Sequence, residues 1–598
     1  MLVLWQLDTG KQQFLPHMSA TIQNVVVSPS GSSYGIQLAD NSAMILSTAE
    51  LQPTTNIAGI QASILGMPDE TSVWRLQDEA WKPPLIQRTP AVINPASPSQ
   101  LLLAVGQMHE VNPREPLVMS SPYLQTFDLG SGHNLYRQAL TRTNVTNINA
   151  APSAHRLSEP RVTHMKISQD GTWLATIDEW TPPERDVAFL GHQDKDLEVE
   201  RRSRREVFLK FWQWSAANKA WELVSRIDTP HTSGQNTLSA GRVLDIAADP
   251  ASLRFSTVGE DGVVCIWSTK TRKRDNVVVR GKDGKALRNW YCQQAISLGK
   301  PELSDDVGSV DLPSASGGVA FSEDGSVLAA ACSSSDGLLH IVDPASGTIR
   351  ISQSGLFEGN IIKIDFLGQD LITLSNKLMV FDLVSNEIRF GINLQDSVIA
   401  LSMEQKQQMM HLAVDQKSQT FAIALPIRVW DNEEAGSLQH RFSEMFVFHQ
   451  DKAKPQLKET FPSIVTALLP AADSEGYLVL DASAEIRTVH KKGTQILTTL
   501  AQSTSALKLD DESQESDGLL RLVEDMEEIE EPEDQLPTPE ATQDGNEDDD
   551  DDETPVVTQQ QLSEVFDIGP SFALPPLEEM FYQVAGLFSS KPLAQNAA

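Results

Sequence analysis

Eight cations crowd one short stretch of this chain: Lys270, Arg272, Lys273, Arg274, Arg280, Lys282, Lys285 and Arg288. Only Asp275 and Asp283 dilute them, and Trp290 and Tyr291 close the run. Basic side chains neutralise phosphates and aromatic rings stack on bases, so the stretch is a candidate RNA or phosphate contact. The alternative is a solvated loop between two strands. A second run, Arg201, Arg202, Arg204 and Arg205, is a candidate nuclear-import or phosphate patch, or else it pairs with Glu198, Glu200 and Glu206.

Chemistry of the catalytic kind has no such foothold. There is no Gly-x-x-x-x-Gly-Lys-Ser/Thr loop, no Gly-x-Gly-x-x-Gly after a strand, no His-Glu-x-x-His and no Gly-x-Ser-x-Gly elbow. The 12 histidines are scattered, without partners at metal-ligand spacing. The expectation is a protein that is not an enzyme, with no catalytic residue, metal or cofactor. Cys265, Cys292 and Cys332 are an odd number at wide spacing, which argues against a disulfide framework and a zinc module and suits a reducing compartment. No run of about 18 apolar residues is present to span a membrane, and the N-terminus lacks the features of a secretory signal. A nuclear or cytoplasmic address is expected.

The net charge of −34 is unevenly spread. Between Asp510 and Glu553 stand 22 acidic residues and one arginine, Arg521, so the remainder is only mildly acidic. With its prolines and few apolar residues, the segment 505–558 is expected to be a disordered acidic linker that solubilises the chain or mimics nucleic acid toward basic partners. Beyond it, 560–590 is expected to hold a short helix. Pro576 suits a first helical position, and Leu577, Phe581, Val584 and Phe588 fall near one face, a candidate partner-docking surface.

The elements that position the cations are strands. An apolar-aromatic run closed by a polar turn recurs at 2–11, 124–132, 209–215, 264–270, 339–344 and 378–383. Alternating β-branched and aromatic residues ended by Asp, Ser or Gly are a strand-and-turn signal. A second recurrent piece is strand, tight turn, strand, as in Val25–Gly31, Lys166–Gly171 and Ala320–Gly325, whose glycines supply positive φ. Together the pieces resemble a WD-repeat blade, four antiparallel strands in about 40–45 residues. The fold class expected is therefore all-β, a WD-repeat β-propeller of roughly seven blades over 85–500. Residues 1–80 are expected to be the last one and a half blades of a preceding, truncated propeller. Pro182 to Glu206 reads as one inserted loop, and Arg428-Val429-Trp430-Asp431 as loop because Pro426 precedes it.

The run Leu4-Trp5-Gln6-Leu7-Asp8-Thr9-Gly10-Lys11-Gln12-Gln13-Phe14-Leu15-Pro16, with Val27 to Ser32 and Leu38-Ala39-Asp40-Asn41, resembles the WD repeat-containing protein 75 family. Fungal members of that family are called U3 small nucleolar RNA-associated protein 17. Gly171 to Trp180, and Leu574-Pro575-Pro576-Leu577-Glu578 through Phe588, are similar to fungal members. The resemblance implies a nucleolar scaffold of ribosome biogenesis in the early-binding t-UTP/UtpA subcomplex of the small-subunit processome. Its implied partners are other WD-repeat proteins of that subcomplex, the 5′ external transcribed spacer of pre-ribosomal RNA, and the U3 small nucleolar ribonucleoprotein. A link to ribosomal DNA transcription and pre-rRNA processing is implied too. The alternative is another WD-repeat adaptor, a ubiquitin-ligase receptor or a chromatin scaffold.

Overall fold

The computed structural model describes residues 2–5, 10, 12–15, 22–38, 41–48, 53–61, 87–106, 122–142, 159–187, 194–233, 239–274, 276–281, 284, 286–301, 315–394, 403–428, 441–472, 475–490 and 493–496. Among the described residues the chain forms eight four-stranded antiparallel sheets and two two-stranded ones. Seven of the four-stranded sheets follow one another along the chain as blades. Blade 1 is Ala91–Ile93, Gln100–Val105, Tyr123–Asp128 and His133–Ala139; blade 2 is Arg161–Ile167, Trp173–Trp180, Glu206–Ser215 and Ala220–Asp228. Blade 3 is Val243–Ala248, Arg254–Gly259, Val263–Thr271 and Arg288–Ser297. Blades 4 to 7 begin at Gly317–Phe321, Lys363–Leu367, His411–Asp415 and Val465–Pro470.

The first strand of each blade lies beside the first strand of the next, and that of blade 7 lies beside that of blade 1. The ring closes without a shared strand. Its seam is a core in which Leu101, Leu103 and Phe127 of blade 1 meet Leu478, Leu480 and Ile486 of blade 7. Thr89 N–H also donates to the Thr466 carbonyl at 3.0 Å. Ahead of the ring stand a hairpin, Leu2–Trp5 with Gln12–Leu15, and the eighth four-stranded sheet, Ile22–Val27 to Pro53–Ala58. That sheet is tied to blade 1 through Gln125, whose amide accepts from Gln61 N–H and donates to the Gly59 carbonyl, both at 2.9 Å.

Local sequence explains the blades. In the Ser168–Gly171 and Ser322–Gly325 turns the glycines sit at φ +68°, a conformation cheap only for glycine. The serine hydroxyl closes each turn by accepting from Trp173 N–H (2.9 Å) or Val327 N–H (3.0 Å). The second strands are buried end to end, as in Leu328-Ala329-Ala330-Ala331-Cys332, whereas the fourth strand of the same blade, Thr348–Gln353, is largely exposed. Burial on both faces favours continuous apolar runs, as in that second strand.

Charge gathers at the inner strands. Asp245 of blade 3 reaches Lys363 of blade 5 at 2.7 and 2.8 Å and accepts from Val319 N–H of blade 4, so one carboxylate joins three blades. His411 donates from Nε2 to the Val465 carbonyl and so presents Nδ1 as acceptor to Arg88 Nε at 3.3 Å. Burial and the neighbouring Arg88 cation hold the His411 imidazole neutral, well below the usual histidine range.

Two expectations need correction. The stretch from Pro182 to Glu206 is not loop throughout, because Glu184–Val187 and Asp194–Ser203 are helical. Straight-chain helix formers and two arginines in the last turn, favourable against the helix dipole, account for the longer one. Arg428 is the last residue of a blade 6 strand, Thr420–Arg428, that runs through Pro426. The preceding strand pairs only as far as Ala424, so the missing proline N–H leaves no gap in that ladder. Val429, Trp430 and Asp431 lie outside the described residues, as do the acidic linker, Leu577, Phe581, Val584 and Phe588.

Candidate nucleic-acid interface

The eight-cation stretch is an extension of the outer hairpin of blade 3. Its third strand runs to Thr271, past the end of the second strand's pairing, and its ladder with the fourth strand continues to Thr271↔Arg288. Beyond that the backbone doubles back on itself. Arg272 N–H donates to the Leu287 carbonyl at 2.8 Å, Val279 N–H to the Arg272 carbonyl at 3.0 Å, and Lys273 and Arg274 pair with Val278 and Val277. Backbone pairing carries the ribbon, and the Arg280 guanidinium donates within it to the Gly284 carbonyl at 2.8 Å.

Lys270, Arg272, Lys273, Arg274, Arg280 and Arg288 are all exposed. Lys282 and Lys285 lie outside the described residues, with Asp275 and Asp283. Among the described residues of the ribbon there is no acid, and no described ion pair engages any of the six cations. Lys270 Nζ lies 4.8 Å from the Tyr291 ring centroid, a cation–π contact at the base. Val277, 69% exposed, adds an apolar spot beside the charges.

Trp290 does not belong to this surface. It is buried, stacked on Phe211 at 4.2 Å between ring centroids, with Trp173 edge-on at 5.4 Å. Alternation along the fourth strand turns it into the core between blades 2 and 3, so it cannot stack on a base.

The arginine run separates into different roles. Arg204 makes an exposed i,i+4 pair with Glu200 at 2.7 Å, and Arg201 donates to the Pro182 carbonyl at 2.9 Å. Arg205, its side chain 8% exposed, bridges Glu179 of blade 2 (3.0 Å) and Glu260 next to blade 3 (3.1 Å). Burial pushes the Glu179 carboxyl up, but Arg242 and Arg205 hold it below the ordinary value. Arg205 is thus withdrawn from an import or phosphate patch, and Glu206 pairs with Arg142 at 3.1 Å. Arg202, at the end of the helix, is partly buried.

Sequence reasoning missed the network at the turn between the second and third strands of blade 3. His231 Nδ1 donates to Asp261 at 3.0 Å, the Thr257 hydroxyl bonds His231 Nε2 at 2.8 Å, and Trp267 Nε1 donates to the Thr257 hydroxyl at 2.9 Å. Asp261 also accepts from Thr232 N–H and Val263 N–H, each at 3.1 Å. Burial raises the Asp261 carboxyl, but these hydrogen bonds, His231 foremost, leave it below the ordinary range. Gly259 makes room for the ring, since a Cβ there would lie 2.2 Å from His231. A histidine, a threonine and an Asp-Gly turn ahead of a strand tryptophan were the available signal.

Comparison with known proteins agrees with this architecture. No protein-family model matches the chain. A Schizosaccharomyces pombe protein named U3 small nucleolar RNA-associated protein 17 is 26% identical over 278 residues, covering 45% of this chain and 30% of that protein. WD repeat-containing protein 75 of Xenopus laevis is 23% identical over 329 residues, 55% of this chain and 30% of its own length. NET1-associated nuclear protein 1 of Saccharomyces cerevisiae is 22% identical over 351 residues, 54% and 34% respectively. The chain therefore spans about a third of the length of the curated relatives it matches. With its ring of four-stranded blades and these similarities, the chain is a relative of the WD repeat-containing protein 75 family.

Proposed function

We propose that this protein is a non-catalytic scaffold of ribosome biogenesis in the nucleus and nucleolus, holding pre-ribosomal RNA through the basic ribbon of blade 3. The observation that carries the reading is the ribbon itself: six exposed cations on paired backbone, with no described acid among them. A cluster of exposed cations attracts a phosphate backbone from a distance and holds it in register without reading sequence. The relatives' names supply the setting, an assembly with U3 small nucleolar RNA. Within it the partners would be WD-repeat proteins of the t-UTP/UtpA subcomplex and the 5′ external transcribed spacer. A part in small-subunit processome assembly, with pre-rRNA processing and coupled ribosomal DNA transcription, follows from those partners.

Crosslinking of RNA to the full chain in cells, followed by sequencing, tests the proposal. Enrichment of the 5′ external transcribed spacer is expected, with a several-fold loss in the Arg272→Ala/Lys273→Ala/Arg274→Ala variant. Capture of proteins alone at low salt, with no pre-ribosomal RNA, would overturn it and favour a protein-only adaptor.

A further inference from the structure

Alternation along the basic ribbon sorts its cations onto two faces. Neighbours along a strand project to opposite sides, and directly paired residues to the same side. Thr271 pairs with Arg288, Lys273 with Val278 and Arg274 with Val277. Arg272 bonds through its N–H to Leu287 and through its carbonyl to Val279, so the ladder passes from Arg288 to Val278 with Arg280 and Ala286 bridged beside it. Lys270, Arg272 and Arg274 therefore stand on one face, Lys273 and Arg288 on the other. The same alternation says which way each face looks. Ile266, on the Lys270 face, is packed between blades 3 and 4, whereas Trp290, on the Arg288 face, is packed between blades 2 and 3. All five cations are exposed.

We propose that the ribbon takes double-helical RNA, with one phosphate row against each face, a reading that rests on the RNA contact proposed above. Lys270, Arg272 and Arg274 recur every ~7 Å along their strand, a row of three charges laid along one backbone. Lys273 and Arg288 face the other way and need a second backbone on the far side. Two phosphate rows running side by side meet both faces at once, and a duplex carries twice the charge of one strand per unit length. A single strand reaches both faces only by wrapping around the ribbon, which costs it conformational freedom.

The aromatic residues point the same way. Trp290 is buried, and Tyr291 is partly buried with Lys270 Nζ 4.8 Å from its ring centroid. No other aromatic residue stands between Lys270 and Tyr291, so the ribbon lacks an open ring on which an unpaired base could stack. Proteins that hold single strands stack bases on such rings, whereas duplex RNA is recognised by shape and phosphate. Contacts of that kind place a helix without reading its sequence. What the ribbon selects is paired over unpaired RNA.

The test uses the full chain and fluorescence anisotropy with a short RNA duplex of arbitrary sequence and, separately, each of its strands, chosen not to fold on themselves. The duplex is expected to bind several-fold more tightly than either strand at the same salt, and equally well when its sequence is scrambled. Lys270→Ala/Arg272→Ala/Arg274→Ala should shrink the slope of log K against log salt for the duplex by about 3, and Lys273→Ala/Arg288→Ala by about 2. Circular dichroism should not change in either variant, because every replaced side chain is exposed. Single strands bound as tightly as the duplex, or a slope left intact by either variant, would overturn the two-faced grip on a duplex while the RNA contact stands. Failure to bind RNA in both forms would remove the RNA contact itself, and this proposal with it.

Discussion

Replacing Thr257 by valine removes one hydroxyl from the middle of the His231–Asp261 network and almost nothing else. The side chain is fully buried and valine matches its shape, so no cavity opens. With His231 Nδ1–H committed to Asp261, Nε2 must accept from the Thr257 hydroxyl, whose oxygen in turn accepts from Trp267 Nε1–H. Valine therefore strands one buried donor and one buried acceptor. Each such group costs about 1–3 kcal/mol, and because the two act through one chain a combined loss of about 3 kcal/mol is expected. Thr257→Ser keeps the hydroxyl and loses one methyl, worth about 1 kcal/mol. Hydrogen exchange of blade 3 amides is the assay, because a seven-bladed ring need not unfold in one step. At about 1.4 kcal/mol per tenfold, protection in the valine variant should fall roughly 100-fold, and in the serine variant roughly fivefold. Lowering the pH checks the sign. The depressed Asp261 value means its contribution is complete above about pH 4, the unfolded value, and disappears as pH falls through the folded value. Equal protection in the two variants would refute the reasoning.

On the proposed RNA contact, removing Arg272, Lys273 and Arg274 together should shrink the slope of log K against log salt for single-stranded RNA by about 2, measured by fluorescence anisotropy, with unchanged circular dichroism. Lys210 pairs with buried Asp178 at 3.0 Å and donates to the Leu140 carbonyl at 2.9 Å. Lys210→Met should cost about 3–5 kcal/mol by urea denaturation through leaving that carboxylate unpaired, and the Lys210→Met/Asp178→Asn double variant should recover much of it. His164 is held at about 4, first by burial and then by nearby cations. The unfolded chain therefore takes up a proton before the folded one does. Stability should decline as pH falls from about 6.5, the unfolded value, toward 4, and His164→Gln should flatten that part of the profile in thermal denaturation.

How far the chain could be read depended on the range of the interaction. Turn chemistry is local, which is why the serine-to-glycine turns at 168–171 and 322–325 were legible from residue types alone. The basic ribbon was legible too, since its charges are neighbours in sequence. Trp290 was misassigned because facing core or solvent is set by register against a partner strand, and Phe211 lies far away in the chain. Arg205 was open for the same reason: its partners Glu179, on a strand of blade 2, and Glu260, in a turn of blade 3, are remote from it in sequence.

By itself, then, the order of residues determined the strands, their turns, the absence of familiar catalytic loops and the place where positive charge accumulates, since each arises within a few positions along the backbone. The tertiary structure alone decided that seven sheets close through a seam of Leu103 and Leu480 and that Asp245 joins three blades. Those contacts join residues remote in sequence, and nothing short of packing the blades against one another brings them within bonding distance.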